Sequence, residues 1–115
     1  MSTRWITALV AGAGAMLAGS CGMAADGQQV YEKWCAPCHA PGPDHPGTTA
    51  LAALYKGTKP GALVERTDLT PEFVKQFVRH GVSVMPFFRK TEISDAELDA
   101  LAAFLSKPQG PKAKG

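Results

Sequence analysis

The stretch Cys35-Ala36-Pro37-Cys38-His39 constrains this chain more than any other. Two thiols three positions apart share one face of a helical turn, so both can reach the vinyl groups of a porphyrin and close thioethers. His39 lies four residues after Cys35, and the same turn presents its imidazole to an iron as a proximal ligand. A thiol pair with a histidine directly after it is the attachment signature of a c-type haem. A CxxC pair alone also serves thioredoxin-like redox sites, zinc sites and structural disulfides. Here no βαβ pattern surrounds it and no second CxxC completes a zinc site. The other histidines, His45 and His80, fall in a Pro/Gly-rich loop and at a helix end rather than at finger spacing.

The chain has 115 residues, enough for one domain. Residues 1–25 read as a secretory signal peptide: Arg4 gives a positive start, Trp5 to Leu17 is apolar and rich in Ala and Gly, and small residues run to Ala25. A membrane span needs about 20 apolar residues, more than this run supplies, so no stable membrane insertion is expected. Cleavage is expected after Ala24 or Ala25, with export to the periplasm. Ala18-Gly19-Ser20-Cys21 is similar to a lipoprotein cleavage box with Leu17 displaced by one position, which leaves a lipid anchor on Cys21 as the alternative. Without the leader, Cys35 and Cys38 are the remaining cysteines. About 90 residues bury only a small core, and a covalently held haem would fill its centre.

Charge excludes one class of partner. Twelve basic residues face ten acidic ones, and the leader removes only Arg4. Such a balance does not suggest nucleic-acid binding. The distribution is uneven: seven basic and three acidic residues lie between Lys56 and Lys90, whereas Thr91 to Leu105 holds four acids and no base. A dipolar molecule is expected. Arg79, Arg89 and Lys90 flank the segment that contains Met85, which predicts a basic docking face for an acidic partner.

Taken in order, Asp26 caps a helix over Gly27 to Trp34 with Val30, Tyr31 and Trp34 at helical spacing. Gly27 inside that helix marks a close approach of another helix. Pro41 to Gly47 reads as loop, and a carbonyl of Pro43 or Pro46 is expected to orient the second ring nitrogen of His39. His45, in the same loop, is expected to be solvent-exposed. Thr48 to Lys56 reads as a short helix and Thr58 to Leu69 as loop. Thr70-Pro71-Glu72 starts a helix whose stripe is Phe73, Val74, Phe77 and Val78, ending at Gly81. Ile93 to Leu98 combines a capping box (Ser94, Glu97) with a hydrophobic staple (Ile93, Leu98), and this last helix runs to Leu105. Residues 107–115 read as a disordered tail.

Met85-Pro86 lies in the segment before the last helix. A lone methionine is usually core filler. Met1, Met16 and Met23 fall in the leader, so Met85 alone remains to offer a soft thioether to the sixth position of an iron. His/Met ligation raises the potential and suits electron transfer.

With these residues in view, the chain resembles the small monohaem class I c-type cytochromes of bacteria over residues 26–106. Cys35 to His39 and Met85-Pro86 carry the resemblance, and Gly27 and Tyr31 match the first-helix pair that crosses the last helix near Leu101 and Phe104. The resemblance implies an all-α fold of about four short helices around one covalent haem c. It also implies cofactor contacts at Cys35, Cys38, His39 and Met85, with iron held by His39 and Met85. Arg66-Thr67-Asp68-Leu69-Thr70-Pro71 and Gly81 to Phe88 are similar to cytochrome subunits that accept electrons from flavoprotein 4-alkylphenol dehydrogenases, of the p-cresol methylhydroxylase and eugenol hydroxylase types.

The expected function is single-electron transfer in the periplasm, from a flavoprotein dehydrogenase to a respiratory acceptor. The chain is expected to have no enzymatic activity of its own, whether free or as a subunit of a dehydrogenase complex. One alternative is a general donor to a terminal oxidase. Another is a haem enzyme or gas sensor with an open iron position, which requires Met85 to be unbound; His80 as distal ligand is the other way to lose the methionine.

Overall fold

The computed structural model describes residues 24–107. The expected leader and tail lie outside the described residues, apart from Ala24, Ala25 and Lys107. Helix α1 (Gly27–Trp34) starts where Asp26 accepts the Gln28 amide at 2.9 Å. After a single joint at Cys35, α2 (Ala36–His39) forms the haem-motif turn.

Helix α3 (Pro46–Tyr55) begins two residues before its expected start. Proline has no amide to lose at the first helical position, and its fixed φ suits that place, so Pro46 opens the helix instead of prolonging the loop. Lys56 ends α3 in the left-handed region at φ 48°. The expected loop from Thr58 to Leu69 contains a 3₁₀ turn (Leu63–Glu65) that buries Val64. Helix α4 (Pro71–His80) has Thr70 as its cap, 3.2 Å from the Phe73 amide, and ends at Gly81. Helix α5 (Asp95–Ser106) opens on the complete Ser94–Glu97 capping box, with Ile93 and Leu98 both buried beside it.

The fold is all-α. Among the described residues there is no strand, and the one bridge outside a ladder joins Val82 to Met85. Among the described residues there are five α-helices where about four were expected, the additional one being the short turn Ala36–His39 of the motif itself. Helix α5 is the axis of the core: α1 crosses it at one end and α4 packs along it. The crossing depends on Gly27, where a Cβ would enter the Ala100 carbonyl and press on Cβ of Phe104. One turn on, the rings of Tyr31 and Phe104 lie 5.7 Å apart. Val74 and Val78 of α4 are buried, but Phe73 is exposed and rests on Phe77 at 4.6 Å. The apolar stripe of α4 is therefore narrower than its periodicity predicts.

Two polar networks lock the connections. Arg66 is only 3% exposed. It grips Asp68 with two nitrogens at 2.7 Å, donates to the Tyr55 hydroxyl at 3.0 Å and stacks over the Tyr55 ring. Lys59 adds a third bond to Asp68 at 2.9 Å. The second network overturns the dipolar expectation: Lys75 pairs with Asp99, Arg79 and Lys90 with Asp95, and Arg89 with Glu92. The basic run and the acidic helix neutralise each other, because α4 and α5 are neighbours in space. Around Met85 the three bases share two acids, Asp95 and Glu92, while Arg89 and Lys90 stay 70% and 73% exposed, so the expected basic face is reduced rather than removed.

Candidate haem site and comparison with known proteins

The turn carrying the motif is helical by its bonds: the amides of Cys38 and His39 both donate to the Cys35 carbonyl, at 3.1 and 2.8 Å. Cys35 is half-buried and Cys38 exposed, and both are free thiols rather than a disulfide. Burial, with Cys38 nearby, pushes the Cys35 thiol up to about 12. A thioredoxin-like nucleophile needs the opposite, a stabilised thiolate. The redox-pair reading of CxxC is therefore disfavoured by the surroundings as well as by the fold.

Burial lowers the pKa of His39, which keeps its ring neutral and able to offer a lone pair. Its Nδ1 is buried and has no hydrogen-bond partner. The expected bond from Pro43 or Pro46 is not made; the Pro43 carbonyl instead receives the Thr49 hydroxyl at 3.5 Å. Gly47 occupies the place against the ring. A Cβ there would come within 2.6 Å of Cε1 and 2.8 Å of Nδ1 of His39, so only glycine lets α3 close on the imidazole. Two further bonds fasten this closure: the His45 ring to the Pro37 carbonyl at 3.1 Å, and the Thr48 hydroxyl to the Ala40 carbonyl at 2.8 Å. His45 is thus a latch on the haem-motif turn, not the free surface histidine expected. From the other side the Tyr31 hydroxyl donates to the His39 carbonyl at 3.2 Å, and burial pushes that phenol up to about 12.

Met85 sits on a separate segment. Val82 and Met85 exchange backbone bonds at 3.2 and 2.9 Å across a two-residue turn in which Ser83 has φ 53°. The side chain of Met85 is half-buried, while Val82, Val84 and Phe87 around it are exposed, Val84 at 97%. The segment is tied to the haem-motif turn by the edge contact of Phe88 with Trp34, ring centroids 5.7 Å apart. Trp34 immediately precedes Cys35. His80, the rival distal ligand, is exposed and bonds the Gln76 carbonyl of its own helix at 2.9 Å. His45, Gly47 and Thr48 were not singled out by sequence as contacts of the motif. A glycine and a hydroxyl following a proline-rich stretch give no local sign of what they will touch.

These residues fit a haem. Two unbridged thiols and a neutral imidazole share one turn, a donor set that suits a covalently held haem; Gly47 closes on Nδ1, which leaves Nε2 as the ring nitrogen that would face an iron. A sheetless helical shell closed on such a turn is the architecture of a small haem protein. A family model described as cytochrome c oxidase, cbb3-type, subunit III matches residues 22–105, and the chain belongs to this family of cytochrome c domains. Its cofactor is accordingly haem c, covalently attached and carrying iron, and its activity is electron transfer. Members of the family are typically exported, and no helix among the described residues is long and apolar enough to cross a membrane.

The chain is also 27% identical over 88 residues to the cytochrome c subunit of 4-cresol dehydrogenase (hydroxylating) from Pseudomonas putida. That match covers 76% of this chain and 65% of the subunit, so the chain spans about two thirds of its relative's length. A chain in a crystal structure of p-cresol methylhydroxylase with substrate bound is similar at a TM-score of 0.50 and 30% identity, covering 70% of this chain and 89% of that one.

Proposed function

We propose that the protein is a periplasmic single-electron carrier whose haem is attached through Cys35 and Cys38 and ligated by His39 and Met85. The observation that carries this reading is the neutral, half-buried His39 on one turn with two free thiols. When bound, the haem supplies a one-electron iron couple. Cys35 and Cys38 hold it against α2, and His39 donates a lone pair from a ring kept neutral by burial. Met85 offers a soft donor that favours the reduced metal and raises its potential. Pro86 stiffens the backbone directly after that donor. Val82, Val84 and Phe87 give the Met85 segment an apolar rim, the kind of surface a redox partner covers.

The donor in this reading is a flavoprotein dehydrogenase of the 4-alkylphenol type, and the acceptor a respiratory protein. The likeness to the 4-cresol dehydrogenase cytochrome subunit supports that choice.

The test is attachment. Produced in a periplasm with a haem-attachment system, the wild type is expected to carry one haem that acidified acetone does not extract, and no free thiol. Replacing Cys35 and Cys38 together with Ala is expected to give a protease-sensitive chain without covalent haem. Extractable haem in the wild type would contradict the proposal.

A further inference from the structure

We propose that Arg79 is the positioning residue that holds Met85 in place for the iron. The inference rests on the ligation proposed above and adds to it the device that keeps a weak ligand engaged. Arg79 stands in the last turn of α4, and its side chain is 18% exposed. Its Nη1 donates to two backbone carbonyls, Phe88 at 3.0 Å and Ile93 at 2.9 Å, and its Nη2 to the Asp95 carboxylate at 2.9 Å. One guanidinium thus joins three places in the chain: the end of α4, the strand of loop returning from Met85, and the start of α5. Neither carbonyl belongs to a helix, and Ile93 is fully buried, so without Arg79 these acceptors would be left poorly paired.

The position of Phe88 makes this more than a general brace. Phe88 follows Met85 by three residues, and its amide donates to the Val78 carbonyl at 2.8 Å. The bond from Arg79 to the Phe88 carbonyl is therefore the second of a pair that pins one residue to α4. The Phe88 ring rests on Trp34, next to Cys35, so the pinned residue is also where the Met85 segment meets the haem-motif turn. On the other side of Met85 the anchor is the Gly81 amide on the Phe77 carbonyl at 2.8 Å. With both ends fixed, the thioether has few places to go and remains beside its site when it dissociates. Removing the clamp lengthens the free segment from Phe88 toward Ile93 and lowers the local concentration of the thioether. Only a planar fork reaches both carbonyls and the carboxylate together, so Lys can restore the function only in part.

The experiment measures how fast added imidazole displaces the thioether from ferric iron in the haem-loaded protein, followed by loss of the sulfur-to-iron charge-transfer band. Arg79→Gln is expected to bind imidazole about tenfold faster than wild type or more, the size expected when hydrogen bonds from a charged donor are lost. Covalent haem and helix content should remain as in wild type. Arg79→Lys is expected to fall between the two, and Asp95→Asn, which leaves both carbonyl bonds in place, to change the rate less. Amide exchange at Phe88 and Ile93 should speed up in Arg79→Gln. Asp68→Asn controls for general loss of stability, because it weakens a network away from the loop. Rates within about twofold of wild type in Arg79→Gln and Arg79→Lys, or an equal gain in Asp68→Asn, would overturn the proposal while leaving Met85 as ligand. A wild type that binds imidazole as fast as Met85→Ala would instead remove the ligation reading, and the clamp with it.

Discussion

Asp68 holds Arg66, which is buried in the core, and its own titration records how. The Arg66 guanidinium, then Lys59, keeps its carboxyl well below the usual carboxylate range. A carboxylate with a depressed folded pKa contributes stability that is fully present above its unfolded pKa of about 4 and is lost as pH falls toward the folded value. Asp68→Asn is therefore expected to lower stability at pH 7 by about 1–3 kcal/mol. That is less than a fully buried pair would lose, because Asp68 is 39% exposed and partly screened. In urea titrations from pH 7 downward, the gap between variant and wild type should begin to close below about pH 4 and narrow progressively as pH falls toward the folded value; a gap constant with pH would show that Asp68 acts through shape alone. Residues differ in how legible they are in advance. Asp26, Thr70 and Ser94 were readable as caps because a cap acts over three residues. The contacts of His45 and Gly47 depend on α3 folding back over α2, and no local pattern encodes that return.

Helices were legible where apolar spacing and end signals agreed. Helix α4 has Thr70-Pro71 at one end and Gly81 at the other, and it forms between those bounds. Helix α3 misled because Pro46-Gly47 looks like loop by composition, although proline at a first helical position promotes a start. The buried Val64 turn was hidden for a related reason: three residues are too few to show a period. The crossing of α1 and α5 was signalled by Gly27 and by the Tyr31, Leu101 and Phe104 match of the resemblance, and it can be tested at Gly27. Gly27→Ala gains about 1 kcal/mol of helix propensity. The new methyl, however, meets the Ala100 carbonyl, which is backbone and cannot turn aside. Overpacking of this kind costs about 1–3 kcal/mol, so a fall in Tm of up to about 10 °C is expected by calorimetry. A higher Tm would mean that the two helices part easily, contrary to the packing described.

For the molecule as a whole, the haem-motif turn, the Met85 segment and α5 form one connected body through Trp34, Phe88 and Arg79. The charge pattern was legible only as a list of residues. Which bases meet which acids follows from α4 lying beside α5, and that pairing reduces the basic face expected around Met85. The class of protein was legible because Cys35 to His39 is a chemical requirement written in five consecutive residues, whereas the proposed ligand Met85, 46 positions beyond His39, needs a folded chain to place it. The account therefore stands most directly on a potentiometric titration of the haem-loaded wild type, followed through the ferric sulfur-to-iron band and compared with Met85→Ala. The expected result is a single one-electron transition with the band present in the oxidised wild type, and in Met85→Ala loss of the band with a lower midpoint. An unchanged midpoint and spectrum in the variant, or ready binding of carbon monoxide by the reduced wild type, would contradict it and favour an open iron position.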